Sequence, residues 1–323
     1  MRASKLFQAV LTFTAIWFAG SGVVRADEYP VRPVRLIVPY AAGGPADFVG
    51  RLVADRLSHE LEQQFVVENR GGAGGMIGTM EVVRADSDGY TLLLGATGNV
   101  VISPHFNKTA FDPLKDLVPL GLVAQSSQAF VVHPSLGVHT LKEFVAYAKA
   151  HPGAINAGSA GVGSFGHLLL ALLMREADIK LTHVPYRGTG AALTDILGDH
   201  IQAMAGDLAV LVPYLKAKTL IGLAVTSPNR SPLLPNLITT KEAGYPEIRA
   251  ATWYGVLGPR NLPEAVRNRL DVALQHVVLT PMYQKALIKQ GAVSEETSSK
   301  QFAEFIRSES AKWGDLAVAV SKK

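Results

Sequence analysis

The 323-residue chain contains no cysteine. That absence excludes disulfides, thiolate metal sites and cysteine nucleophiles, so the fold has to be held by its apolar core. Nine histidines are present, but none forms an i,i+4 pair or a cluster with zinc-ligand spacing. No metal is expected. An excess of charge of either sign is also lacking. The formal net charge is +4, and Arg2, Lys5 and Arg25 of an acid-free leader supply three of those charges. The remainder is close to neutral, which argues against a nucleic-acid partner. After the first 26 residues no apolar run is long enough to span a bilayer.

What is there begins with that leader. A basic start, an apolar run from Leu6 to Ala19 and a small-residue exit at Val24, Arg25 and Ala26 have the layout of a secretory signal cleaved after Ala26. The run falls short of the ~20 residues a membrane anchor needs, so export is expected. The remaining chain, about 297 residues, is large enough for two domains.

Apolar segments rich in β-branched residues alternate with helix-period segments, the pattern of an α/β protein with a mostly parallel sheet. Strands are predicted at 34–40, 65–68, 90–95, 117–123, 129–133, 154–158, 181–186, 200–205, 220–226 and 250–257. A helix is predicted at 45–61, with Val49, Leu52, Val53, Leu57 and Leu61 on one stripe. Another, at 141–150, starts at a Thr140/Glu143 capping box and stops at His151, Pro152 and Gly153. Phe302, Phe305, Ile306 and Trp313 recur at helical spacing and are assigned to core packing. The polar segment 124–128 and the proline-punctuated stretch from Pro228 to Pro246 are the two places where the chain could cross between domains. Two crossings give a discontinuous first domain (27–126 and 250–323), an inserted second domain (127–249) and a cleft between them that hinges.

Three glycine-rich turns follow predicted strands and open helices. In the first, Ala42, Gly43 and Gly44 precede Pro45 and Asp47; backbone N–H groups at such a helix mouth have no partner within the helix and suit an anion. Asp47 is read either as a helix-terminus acid or as a ligand contact. The second turn, Gly71 to Gly78, lacks the third glycine of a dinucleotide fingerprint, because Ile77 occupies its place. No Walker lysine follows either turn, so no nucleotide or other cofactor is called for. The third runs from Asn156 to His167. Ser159 and Ser164 lack the upstream glycine of a G-x-S-x-G elbow, which disfavours a secreted serine hydrolase built on Ser164 and His167. Ser164 is an N-cap or a ligand contact, and His167 a satisfied helix residue or a ligand contact. Asp207 follows a predicted strand and precedes an apolar helix; it either caps that helix or faces the cleft, where it would favour a ligand amine, hydroxyl or water over a second carboxylate.

Several motifs occur in one order: PYAAGGPAD at 39–47, VVENRGGAGG at 66–75, DGYTLLLG at 88–95, GSAGVGSFGH at 158–167, HVPYRG at 183–188 and LAVTS at 223–227. In this the chain resembles the Bug (TctC-like) solute receptors of tripartite tricarboxylate transporters, over essentially its whole length after the leader. The resemblance implies a type II periplasmic-binding-protein-like fold, with two α/β domains around a ligand cleft. It also implies a non-catalytic, monomeric periplasmic receptor that presents a small organic carboxylate to membrane permease subunits; a ligand sensor for a signalling system is the alternative. By the same resemblance the first turn supplies a carboxylate clamp at Tyr40, Ala42, Gly43, Gly44 and Asp47. Thr97 and Asn99 follow it, and the second domain contributes Ser159, Gly163, Ser164, His167 and Asp207. Ala46, Gly71 and Met76 depart from the family pattern, the first by removing a hydroxyl from the clamp.

Overall fold

The computed structural model describes residues 29–106, 112–186 and 188–321; the predicted leader and Arg187 of the HVPYRG motif lie outside them. In chain order the elements are β1 (Val34–Val38), α1 (Pro45–Glu60), β2 (Phe65–Asn69), α2 (Met76–Val83), β3 (Thr91–Ala96), a wide helical turn (Thr97–Ile102), α3 (Ser103–Phe106), α4 (Pro113–Asp116), β4 (Leu117–Val132), α5 (Leu141–Ala150), β5 (Asn156–Ser159), α6 (Phe165–Ala177), β6 (Thr182–Pro185), α7 (Thr189–Leu197), β7 (Ala203–Asp207), α8 (Leu208–Lys216), β8 (Ile221–Val225), β9 (Ala251–Pro259), α9 (Glu264–Leu279), α10 (Pro281–Lys289), β10 (Ala292–Val293) and α11 (Ser299–Ser321).

The strands follow the order β2-β1-β3-β9-β4-β7-β5-β6, with β8 and β10 also paired to β4. The outer strands of each half pair in parallel, β1 with β2 and β3, and β5 with β6 and β7, whereas β3 and β9 are antiparallel. Around β4 every pairing is antiparallel, to β7, β8, β9 and β10. The sheet is therefore mixed where a mostly parallel one was expected. The two predicted strands 117–123 and 129–133 are one 16-residue strand, and the polar segment 124–128 is its middle. Polarity in that segment does not break the strand, because its backbone is bonded on both edges and Ser126 and Gln128 are buried among hydrogen-bonding partners.

Helices cover both faces of this sheet. On one, α1 buries Val49, Val53 and Leu57 in a cluster with Leu270, Leu274 and Val277 of α9. On the other, α11 packs the aromatic stripe as core: Trp253 and Phe302 meet edge to face at 5.5 Å, and Trp313 meets Phe165 of α6 at 5.0 Å. Glu309 accepts the Trp313 indole N–H at 2.8 Å, which satisfies a buried donor.

The contact between α11 and β9 requires glycine at position 255, since a Cβ there would sit 2.1 Å from the Phe302 ring and 3.0 Å from the Gly121 carbonyl oxygen. Gly255→Ala should destabilise the protein by ~1–3 kcal/mol, as overpacking typically does. Urea unfolding followed by tryptophan fluorescence measures this; an unchanged midpoint would contradict the packing.

Candidate functional site

Register places the ends of β3 and β7 and the start of β9 at the level of the middle of β4. Ser126 of β4 pairs with Thr252 of β9, Gln128 pairs with Asp207, and Ala96, the end of β3, pairs with Tyr254. The parallel strands of one half run toward this waist from one side and those of the other half run toward it from the opposite side. Turns at the carboxyl ends of parallel strands are where α/β sheets bind ligands.

After β1, Ala41, Ala42 and Gly43 are exposed, and Gly44 precedes α1 without any side chain capping that helix. Gly43 adopts φ +82°, a left-handed conformation suited to glycine. Its N–H donates to Asp47 Oδ2 at 2.9 Å, and Arg51 Nε donates to the same oxygen at 3.0 Å. The Arg51 guanidinium holds the Asp47 carboxyl below its ordinary range. Asp47 Oδ1 is buried without a partner. Asp47 thus ties down the turn and takes the Gly43 donor, while the rest of the helix mouth stays uncapped.

Behind this turn, the Tyr40 hydroxyl donates to Asn99 Oδ1 at 3.2 Å, and the same oxygen accepts the Ala96 N–H at 2.8 Å. Asn99 Nδ2 donates to Thr79, whose hydroxyl donates to the Gly75 carbonyl. Thr97 Oγ1 accepts the Trp253 N–H at 2.9 Å and donates to the Ala251 carbonyl at 3.3 Å. Both side chains are fully buried. They join the first two glycine turns to the ends of β3 and β9.

In the other half, Ser159 Oγ lies 2.7 Å from His183 Nε2. His183 stacks on His167 with ring centroids 3.7 Å apart. The Gly163 N–H donates to His167 Nδ1 at 3.2 Å, and Ser164 accepts the His167 N–H as N-cap of α6. Burial, with the neighbouring His183, pushes His167 down to about 4, and burial also lowers His183. Both rings are neutral at pH 7. Ser159 is wholly buried, and no carboxylate hydrogen-bonds His183 among the described residues. The pair lacks the third member of a hydrolytic triad.

Asp207 ends β7 and caps α8, accepting the Ala209 N–H at 3.0 Å through Oδ1. Its Oδ2 accepts from Ser126 Oγ at 2.9 Å and Gln128 Nε2 at 3.4 Å, and Gln128 also donates to Thr252. A cavity of ≈180 Å3 opens here, lined by Pro45, Phe48, Ser126, Asp207, Val210 and Tyr254 among others; Ser164 and His167 do not line it. On the opposite face of β4, Gln125, Arg249 and Phe305 line two further grooves of ≈340 and ≈470 Å3. Among the described residues no cluster of three His, Asp or Glu could hold a metal ion.

The predicted residues therefore form three groups: the helix mouth with Tyr40 and Asn99, the serine–histidine cluster, and Asp207 at the waist. Sequence reasoning missed His183, Phe48, Ser126, Gln128, Thr252 and Tyr254. The available clue for two of them was a pair of polar residues between apolar runs, read there as a crossing.

Because His167 is neutral when folded and takes a proton near 6.5 when unfolded, its burial contributes stability fully above pH 6.5 and progressively less as pH falls toward 4. Thermal melts should show the transition temperature falling across that window. In His167→Gln the fall should be shallower; an equal slope would contradict the assignment.

Residues 49–321 match the family model described as "Tripartite tricarboxylate transporter family receptor". Among solved structures, the periplasmic binding protein BugD is 32% identical with a TM-score of 0.73, covering 90% of this chain and 98% of BugD. MatC from Rhodopseudomonas palustris with bound malate is 30% identical with a TM-score of 0.73, covering 90% of this chain and all of MatC. The R. palustris protein Rpa4515 with adipate is also 30% identical, with a TM-score of 0.75 over 90% of this chain and 98% of that one. These neighbours share the two-domain α/β periplasmic-binding-protein fold. The chain belongs to the tripartite tricarboxylate transporter receptor family, whose members are periplasmic solute-binding proteins.

Proposed function

We propose that this protein is an exported receptor, cleaved after Ala26, that captures a small organic mono- or dicarboxylate and delivers it to the membrane permease of a tripartite tricarboxylate-type transporter. It acts as a monomer. Residues 27–126 with 250–323 form one domain, 127–249 the other, and the ligand lies between them.

The observation that carries this reading is the meeting of strand ends from both halves at the middle of β4, next to an α1 N-terminus that no side chain caps. An anion at a helix N-terminus gains ~0.3–1 kcal/mol, more where water is excluded. The acid group is taken by backbone donors of Ala42 and Gly44, with Tyr40, Gly43 and Asp47 fixing the turn and Thr97 and Asn99 fixing its surroundings. Ser159, Gly163, Ser164 and His167 complete the site from the second domain when the cleft closes. The malate and adipate bound by the two R. palustris neighbours support a small carboxylate as the class of ligand. A binder also accords with a serine–histidine cluster whose polar atoms are engaged in capping and bracing.

Calorimetry of the leader-free protein against malate, succinate, adipate, glutamate, 4-aminobutanoate and nicotinate should find at least one acid binding 1:1 at micromolar affinity, about −8 kcal/mol. Asp47→Ala removes the carboxylate that ties the Gly43 turn to α1 and, by loosening the clamp, should weaken that acid at least tenfold. No binding across the panel, or unaltered affinity in the variant, would overturn the reading.

A further inference from the structure

We propose that the waist cavity receives a protonated amine, so that the acid held by this receptor is an amino carboxylate. The inference rests on the receptor reading above and narrows its ligand class.

The Asp207 carboxyl is the one acidic group lining this cavity, and its three hydrogen-bond donors, Ser126, Gln128 and the Ala209 N–H, are all neutral. Among the described residues no lysine, arginine or histidine pairs with it. A carboxylate removed from water without a countercharge is costly, and a ligand that supplies the charge recovers that cost. Burial raises the Asp207 pKa despite the three donors that favour its ionised form, and a cation entering the cavity would draw it back toward the carboxylate.

The rest of the cavity suits the same group. Tyr254 lines it, and its hydroxyl makes no hydrogen bond among the described residues. Phe48 and Tyr254 supply aromatic rings, which attract an ammonium group; Val49, Val210 and Ala292 add apolar wall, and Gln290 a neutral amide. A ligand hydroxyl could donate one hydrogen bond to Asp207 but would leave its charge unbalanced; a second carboxylate would be repelled. Pro45 and Phe48 belong to the first turn of α1, so the cavity adjoins the helix mouth assigned to the acid group. A short ligand spans both.

The test is calorimetry of the leader-free protein with ω-amino acids of three to six carbons, each against the alkanoate with methyl in place of the amine and against the diacid of equal length. One amino acid should bind at least tenfold more tightly than both of its partners. Asp207→Asn, which retains an oxygen for the Ala209 N–H, should bring the three within threefold of one another. Tyr254→Phe, which leaves the β7–α8 junction untouched, should reduce the preference in the same direction. Diacid binding equal to or tighter than amino acid binding, or an unchanged ratio in Asp207→Asn, would overturn the amine assignment while leaving the carboxylate receptor standing. Absence of binding by every acid in all three series would remove both.

Discussion

One strand runs through both halves of this molecule, and its hydrogen bonds set where their strand ends meet. β4 runs 16 residues without interruption, bonded first to β9 and then to β7 and β8. Because β9 is antiparallel to both β3 and β4, the parallel strands of the first half point their carboxyl ends at the middle of β4. Because β7 is antiparallel to β4, those of the second half point theirs at the same level. The glycine turns, the wide turn after β3 and the N-terminus of α8 all follow from that one arrangement of backbone pairing.

Polar groups at this level are mostly spoken for. Asn99 uses its oxygen and its nitrogen, Thr97 bridges two backbone groups of β9, and Ser164 and His167 satisfy the start of α6. Such groups rigidify the framework and leave few for a ligand. What remains is an uncapped helix mouth, favourable to negative charge, beside a carboxyl that has neutral partners only. The two features have opposite preferences, and their adjacency at the waist is the electrostatic character of the site.

Local sequence patterns revealed much of this. Apolar runs rich in β-branched residues located β1, β2 and β3, helical spacing located α1 and the buried face of α11, and a capping box with its stop signals located α5, each to within about two residues. The glycine turns were legible because only glycine meets the left-handed φ at Gly43 and Gly163 without strain. The middle of β4 was not legible. Ser126 and Gln128 look like loop residues until Asp207, 79 to 81 positions away in sequence, and Thr252 supply their hydrogen bonds. His183 was hidden in the same way, since its partner Ser159 is 24 residues distant. Local pattern cannot record pairings of that range, and the cavity at Asp207 is built from them.

The central claim is that an acid group lodges at the α1 mouth beside the middle of β4, between the two sets of strand ends. Backbone amide NMR of the leader-free protein titrated with its tightest-binding acid locates the ligand directly. The largest shifts should fall in Tyr40–Phe48, Ser126–Gln128 and Asp207–Val210. Shifts concentrated instead around Arg249, Phe305 and Lys312, on the opposite face of β4, would contradict it.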